Sequence, residues 1–206
     1  MTTLYLIRHS EPYKQHYGIR EIKEELLFSN KKNPLSINGE KLAEKISNYD
    51  EFQNIDVVWS SDYVRCMSTA KYFAANNNLK VNISDQLGER VHGVSSWEEL
   101  PLDFEIHQFA DINYKEGYGE SRKEATNRIF NKVNELLKDN LDKRIIVVAH
   151  STIFAYLLSN WCEVSYDSAY KFKDTIFFDG KWNYCETFKL TFDGCKLINI
   201  ECLQLS

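Results

Sequence analysis

Apolar positions along the chain form short continuous runs that alternate with longer stretches in which they recur at helical spacing. The short runs predict strands at Leu4–Arg8, Asp56–Ser60, Leu79–Ile83 and Arg144–Ala149. The last of these, RIIVVA, is a continuous apolar run, which is typical of a central parallel strand covered on both faces. Strands that alternate with helices imply a parallel sheet. We therefore expect an α/β fold with three layers, α/β/α, around a mixed, mostly parallel sheet.

Helix signals lie between and after those strands. Ser36 is a candidate N-cap for one helix, and Ser60–Asp62 offers N-cap residues for a second. Ser121 and Glu124 form a capping-box pattern at the start of a third. Thr152–Trp161 continues as an apolar helix after the fourth strand. The apolar positions at helical spacing are Leu42, Ala43, Ile46, Val64, Met67, Ala70, Phe73, Ala125, Ile129, Val133, Leu136 and Leu137.

Two segments depart from the alternation of strands and helices. Residues from about 87 to 119 have no clean period, which predicts an irregular, partly helical insertion. In the tail, Glu186–Phe192 and Lys196–Leu203 flank Asp193-Gly194, a strong hairpin signal. We find no internal repeat or linker, and expect one domain over residues 1–206 with a substrate-covering insertion at about 91–119. The tail hairpin offers an edge through which a homodimer could form.

Composition narrows the classes of function. The chain has 206 residues and a net charge of −5, and an acidic protein is a poor candidate for non-specific nucleic-acid binding. An anionic small molecule remains compatible, because only the field inside the pocket matters for it. No apolar stretch approaches the roughly 20 residues that span a bilayer, and we see no signal peptide. Five scattered cysteines without a C-x-x-C pair favour reduced thiols in a cytoplasmic protein over disulfides or zinc.

Residues that could act in catalysis or bind a ligand follow the predicted strands. Arg8 and His9 end the first strand, and His150 ends the RIIVVA strand. Arg65 lies in the first turns of the helix after the second strand, and Glu89 follows the third strand closely. Open α/β sheets bind ligands outside the carboxyl ends of their strands, so these residues map to one rim. Arginine clamps phosphate, and a neutral histidine nitrogen can attack phosphorus.

Six segments carry a resemblance to a known family. They are Arg8–Glu11, Pro34–Gly39, Ser60–Ala70, Leu87–Gly93, Gly119–Ser121 and Val147–His150. In this order they resemble the histidine phosphatase superfamily, the phosphoglycerate mutase-like group, whose hallmark is a strand followed by Arg-His-Gly. One Arg-His pair would be weak evidence, whereas six segments in the right order are strong evidence.

The resemblance implies a role for each residue at the rim. His9 would be the nucleophile that becomes phosphorylated, and Glu89 would be the general acid that protonates the leaving oxygen. Arg8, Arg65 and His150 would hold the phosphoryl oxygens. Charge on those oxygens needs fixed cations around it, and arginine stays charged at any working pH. We therefore expect no metal or other cofactor.

The sequence also departs from the family pattern. Ser10 and Ser151 stand where the family usually has glycine after each catalytic histidine, and Gln15 stands where many members have a phosphate-contacting asparagine. We expect these three residues to contact phosphate or substrate. Glu98 and Glu99 are alternative acids if the loop after the third strand is built differently.

These observations predict hydrolysis of phosphomonoesters on a small phosphorylated metabolite, in two steps through phospho-His9. Two alternatives remain open at this point. One is a phosphoglycerate mutase, although a mutase must retain its phosphoryl group and exclude water, which favours longer closing segments than this chain has. The other is a catalytically weak protein that binds a phosphorylated ligand in a retained pocket.

Overall fold

The structure, a computed structural model, describes residues 1–13, 26–166 and 168–205. Within those ranges the strands are β1 Thr2–Arg8, β2 Val57–Ser61, β3 Val81–Ser84, β4 Arg144–Ala149, β5 Tyr170–Phe172, β6 Thr175–Phe178, β7 Thr187–Asp193 and β8 Lys196–Cys202. The α-helices are α1 Leu26–Lys32, α2 Ile37–Ser47, α3 Val64–Asn76, α4 Phe104–Ala110, α5 Arg122–Asp139 and α6 Ser151–Leu158. Short 3-10 turns cover Asp50–Phe52, Asp85–Leu87 and Trp97–Glu99.

The main sheet has the strand order β3-β2-β4-β1-β7-β8. Strands β3, β2, β4 and β1 are mutually parallel, whereas β7 runs antiparallel to β1 and β8 antiparallel to β7. The mixed, mostly parallel sheet is therefore confirmed. Arg8 is paired with Ala149, so the carboxyl ends of β1 and β4 lie side by side at one edge of the sheet.

Alternation along β1 shows how the sheet separates two apolar layers. Leu4 and Leu6 are fully buried in a core cluster that contains the apolar faces of α5 and α6. Tyr5 and Ile7 are fully buried in a second cluster, which contains residues of α2 and α3. Because successive side chains of a strand point to opposite faces, the sheet is covered on both sides. The predicted three-layer architecture is confirmed.

Two of the three predicted N-caps are confirmed and one is wrong. The Ser36 hydroxyl accepts a hydrogen bond from the Gly39 amide and caps α2, and Ser121 with Glu124 forms the capping box of α5. The prediction that Ser60–Asp62 caps α3 was wrong, because Ser61 is the last residue of β2, where it pairs with Ser84 of β3. Pairing with a neighbouring strand outweighs the local preference of serine for a helix start.

The tail hairpin is confirmed as β7 and β8, but the two-stranded sheet of β5 and β6 was not predicted. The irregular insertion contains the turn at Trp97–Glu99 and helix α4. Among the helices that the structure describes, none is long and apolar enough to cross a membrane.

Candidate active site

His9 lies immediately after β1, where its amide donates to the Ala149 carbonyl at 2.9 Å. The side chain is buried, and its Nδ1 is 2.7 Å from the carbonyl oxygen of Ser10. A carbonyl can only accept, so Nδ1 carries the hydrogen and Nε2 has a free lone pair. Burial lowers the pKa of His9 well below its ordinary value, and the charges of Arg65 and Arg8 lower it further. The imidazole is therefore neutral at physiological pH.

Ser10 is fully buried and both of its donors are used within the protein. Its hydroxyl donates to the Gly39 carbonyl at 2.7 Å, and its amide donates to the Thr69 hydroxyl at 2.9 Å. A Cβ at Gly39 would lie 2.1 Å from the Glu11 carbonyl oxygen, so only glycine allows the backbone after His9 to pass this close to α2. The expected phosphate contact of Ser10 is thus replaced in this arrangement by two bonds that fasten the His9 loop to α2 and α3.

His150 follows β4, and its ring centroid lies 5.3 Å from that of His9. The Nη2 group of Arg65 is 3.2 Å from His150 Nδ1, and because arginine can only donate, Nδ1 is the acceptor. The hydrogen of His150 is then on Nε2, which donates to the Ser61 hydroxyl at 3.0 Å. Burial lowers the pKa of His150 well below its ordinary value, and Arg65 adds to the effect. The two histidines are thus neutral and in opposite tautomers.

Both candidate arginines are held by backbone carbonyls and aromatic rings. Arg65, which is buried, donates to the Asn30 carbonyl at 2.6 Å and lies 4.7 Å above the Tyr63 ring. Arg8 donates to the Trp182 carbonyl at 2.7 Å and lies 4.9 Å above the ring of Tyr184. Neither guanidinium forms an ion pair with a carboxylate in the described part of the chain. Their positive charge is therefore available to an anion.

Glu89 lies in the loop that follows Asp85–Leu87 and is partly exposed. One of its carboxylate oxygens accepts from the Arg90 amide at 3.0 Å. Burial lowers the pKa of Arg8, and the charges of Tyr184 and then Glu89 oppose that change.

The alternative acids, Glu98 and Glu99, lie in the exposed turn at Trp97–Glu99. Glu99 accepts from the Ser95 amide at 3.1 Å, a contact within the insertion itself. Glu98 and Glu99 thus lie on the surface of the insertion, whereas the Glu89 charge acts on Arg8, and the role of Glu89 as the acid stays a prediction.

The two remaining predicted residues have different outcomes. Ser151 begins α6 directly after His150 and lines a cavity of about 220 Å³. Other residues around this cavity are Arg90, Glu105, Phe109, Tyr156 and Trp182. Gln15 lies outside the described residues.

Two residues of α3 support the site and were not among the predicted site residues, although both lie in the Ser60–Ala70 segment. Thr69 accepts the Ser10 amide and donates to the Arg65 carbonyl at 2.8 Å. The Cys66 sulfur is 3.4 Å from Nε2 of His150, and burial raises the pKa of this thiol to about 12, so it is neutral. The spacing of four between Arg65 and Thr69 places them on one helix face, which is the signal that could have identified Thr69.

Comparisons with known proteins agree with this geometry. A model of the histidine phosphatase superfamily (branch 1) matches residues 4–177. Phosphoserine phosphatase 1 of Hydrogenobacter thermophilus is 27% identical over 164 residues, which are 73% of this chain and 72% of that protein.

Two solved structures show the same fold at low sequence identity. The mycobacterial glucosyl-3-phosphoglycerate phosphatase in complex with inorganic phosphate has a TM-score of 0.66 and is 17% identical, covering 98% of this chain and 95% of its own. A mutant phosphoserine phosphatase from Entamoeba histolytica, in complex with phosphoserine, has a TM-score of 0.65 and is 19% identical, with coverage of 98% and 97%.

Proposed function

Because the chain belongs to the histidine phosphatase superfamily (branch 1), we propose that it hydrolyses phosphomonoesters of small metabolites through a phosphohistidine at His9. The observation that carries the proposal is the state of His9. Its Nδ1 is bound to the Ser10 carbonyl, which leaves the Nε2 lone pair beside His150 and two arginines that have no carboxylate partner among the described residues. A neutral nucleophile among fixed cations suits attack on a phosphate dianion.

The first step transfers the phosphoryl group to the protein. Arg8, Arg65 and His150 hold the three non-bridging oxygens while His9 Nε2 attacks phosphorus. A nitrogen–phosphorus bond forms and the ester oxygen–phosphorus bond breaks. Glu89, protonated at this stage, gives its proton to the ester oxygen, which leaves as an alcohol. Leaving-group protonation of this kind typically contributes about 10²–10⁴-fold to the rate.

The second step releases inorganic phosphate. Glu89 is now a carboxylate and takes a proton from a water molecule, whose oxygen attacks phosphorus. The nitrogen–phosphorus bond breaks and its electron pair returns to His9 Nε2. Phosphate leaves, and Glu89 is again protonated for the next substrate. His9 therefore needs the same neutral tautomer at the start and end of each cycle.

Substrate binding requires a change at His150. Its Nδ1 accepts from Arg65 and its Nε2 donates to Ser61, so neither nitrogen is free to donate to phosphate in this arrangement. We propose that a bound phosphate draws the Arg65 guanidinium to its oxygens and raises the pKa of His150, which then takes up a proton. The doubly protonated ring can keep its bond to Ser61 and donate from Nδ1 to the anion.

The finer features of the protein are proposals of the same kind. One domain, with residues 91–119 covering the substrate, agrees with the position of Glu105 and Phe109 at the cavity. All five cysteines are free, which supports a cytoplasmic location, where thiols stay reduced. The edge strand β8 is the surface through which we propose that two copies pair.

The test is a rapid-quench experiment with a ³²P-labelled substrate and an assay of phosphate release from p-nitrophenyl phosphate. We expect acid-labile label on His9 of the unaltered protein, and neither label nor turnover for His9→Ala. His107→Ala is the control, because that histidine is exposed and paired with Asp103. Full activity of His9→Ala would contradict the proposal. Isomerisation of 3-phosphoglycerate without phosphate release would indicate a mutase, and tight binding without labelling would indicate a binding protein.

A further inference from the structure

None of His9, His150, Arg8, Arg65 and Glu89 lines the cavity of about 220 Å³, but residues adjoining them do. Three of its lining residues are direct neighbours of those groups. Ser151 follows His150, Arg90 follows Glu89, and the Trp182 carbonyl accepts the hydrogen bond from Arg8. A substrate whose phosphate lies between the histidines would therefore place its leaving group in this cavity, which we call the leaving-group pocket.

Arg90 is a buried cation with little compensation. Its side chain is 3% exposed, and within the described residues its guanidinium has one acceptor, Glu105 Oε1 at 2.7 Å. Its Nε is buried and has no hydrogen-bond partner in the described part of the chain, and the guanidinium lies 5.6 Å from the Phe104 ring centroid. A desolvated charge is costly unless it is paired and hydrogen-bonded, so a second anion at Arg90 would be stabilising.

Glu105 is the opposite half of this ion pair. Its side chain is 59% exposed and it lines the leaving-group pocket together with Arg90. The pocket therefore presents a positive and a negative group side by side. The complementary ligand is a zwitterion in the reverse orientation, with its anion at the guanidinium and its cation at the carboxylate.

The size of the pocket limits the ligand. Pockets for drug-sized ligands are about 300–1,000 Å³, so 220 Å³ favours a leaving group smaller than a nucleoside. The α-amino acid is the smallest metabolite class with a carboxylate and an ammonium on one carbon. Serine is the amino acid that joins such a head group to a phosphate through one methylene.

We propose that the substrate is an O-phosphorylated α-amino acid of the phosphoserine type, and that Arg90 and Glu105 determine this specificity by binding the α-carboxylate and the α-ammonium. The inference rests on the proposed phosphatase activity, because the pocket has meaning only as the site of the leaving group.

Four substrates separate the two contacts. Phosphoserine has both charged groups, 3-phosphoglycerate has the carboxylate and a hydroxyl, phosphoethanolamine has the ammonium alone, and p-nitrophenyl phosphate has neither. We expect kcat/KM to be highest for phosphoserine. The measured quantity is the ratio of kcat/KM for each substrate to that for p-nitrophenyl phosphate in the same preparation, because this ratio does not depend on the fraction of protein that is folded.

Each variant should affect one half of the substrate. Arg90→Gln should lower the ratio for phosphoserine and 3-phosphoglycerate about 10- to 100-fold, the effect of one lost charge-assisted hydrogen bond, and Arg90→Lys should restore part of it. Glu105→Gln should lower the ratio for phosphoserine and phosphoethanolamine about tenfold, but not that for 3-phosphoglycerate. Glu98→Gln is the matched control, since it removes an exposed charge of the same insertion and should leave every ratio unchanged.

Several outcomes would overturn the inference while leaving the proposed function intact. Equal losses on all four substrates in Arg90→Gln would assign Arg90 to the phosphoryl group. A second contrary result is a preference for a nucleoside monophosphate or a sugar phosphate, with the ratios of the Arg90 and Glu105 variants unchanged. It would show that the aromatic residues of the pocket, and not its ion pair, determine the substrate. Absence of turnover on p-nitrophenyl phosphate in the unaltered protein would instead contradict the proposed function itself.

Discussion

The phosphoryl-binding centre and the leaving-group pocket are neighbours, yet they are built from different parts of the molecule. His9 and His150 follow the adjacent parallel strands β1 and β4, and Arg65 lies in the first turn of helix α3, which follows β2. The pocket instead combines the insertion, helix α6 and the loop that carries Trp182. The strand ends thus position the groups proposed for the reaction, and we propose that the loops determine the substrate, as in folds that serve many substrates.

The two regions also differ in how they hold charge. In the centre, the backbone carbonyls of Asn30 and Trp182 hold the arginines, and these acceptors position a cation without neutralising it. In the pocket, Arg90 is paired with Glu105, a carboxylate of the insertion. The centre is therefore prepared for a dianion of any phosphomonoester, and the pocket for a ligand with separated charges.

The largest effect should come from Glu89, which lies between the two regions. Glu89→Gln removes the proton donor and should lower kcat about 10²–10⁴-fold for an alkyl phosphate such as phosphoserine. The loss should be much smaller for p-nitrophenyl phosphate, whose phenolate leaves without help. Steady-state kinetics on both substrates checks this. Similar losses on both would mean that Glu89 acts on binding and belongs to the centre.

Acid should destabilise the protein through its buried histidines, two of which belong to the centre. Burial lowers the pKa of His9 and of His150 in the folded protein, so the unfolded chain binds more protons below its histidine pKa of about 6.5. The free energy of unfolding is therefore unaffected by these histidines above that pH and decreases as the pH drops below it. At pH 5.5 each histidine should cost up to about 1.4 kcal/mol of the free energy of unfolding.

Urea unfolding at pH 7.5 and 5.5 measures that loss. His150→Asn should remove about a third of the difference, since His9 and His92, whose pKa burial lowers to about 4, still titrate in this way. His107→Asn, on the exposed face of α4, should leave it unchanged. An unaltered acid dependence in His150→Asn would show that this histidine is not held neutral by the fold.

The smallest effect should separate Ser10 from Ser151. Ser10→Ala leaves the Gly39 carbonyl without its donor and should destabilise the protein by about 1–3 kcal/mol. Its affinity for orthovanadate should change less than twofold, because the hydroxyl does not face the ligand. Ser151→Ala, at the cavity, should show the reverse pattern. Thermal unfolding and vanadate inhibition together test it, and a large loss of vanadate affinity in Ser10→Ala would restore Ser10 as a phosphate ligand.

The centre was far more predictable from the sequence than the pocket. An apolar run such as Arg144–Ala149 is typical of a central strand in an α/β protein. The residue after it must then lie at the carboxyl end of that strand, where such sheets bind ligands. The sequence pattern therefore located His9 and His150. It did not show that the Ser10 hydroxyl donates to the Gly39 carbonyl, because that bond depends on the position of helix α2.

The pocket depends on contacts that no local pattern contains. Arg90 and Trp182 are far apart in the sequence, and the hairpin of β5 and β6 that precedes Trp182 was not predicted at all. The predicted boundary between β2 and α3 was wrong for a related reason. Serine is compatible with a strand end and with a helix start, and the partner strand β3 decides between them.

The central position of β1 has a consequence for the order in which the protein is made. Thr3 pairs with Arg144 on one side and with Thr191 on the other, so β1 leaves the ribosome long before either neighbour exists. At roughly 5–20 residues per second, the wait for its second partner is about 10–40 s. During that interval the apolar residues around the future nucleophile lack their native cover. The sheet around the catalytic centre is thus completed only once β7 has been translated, long after the first histidine of the centre.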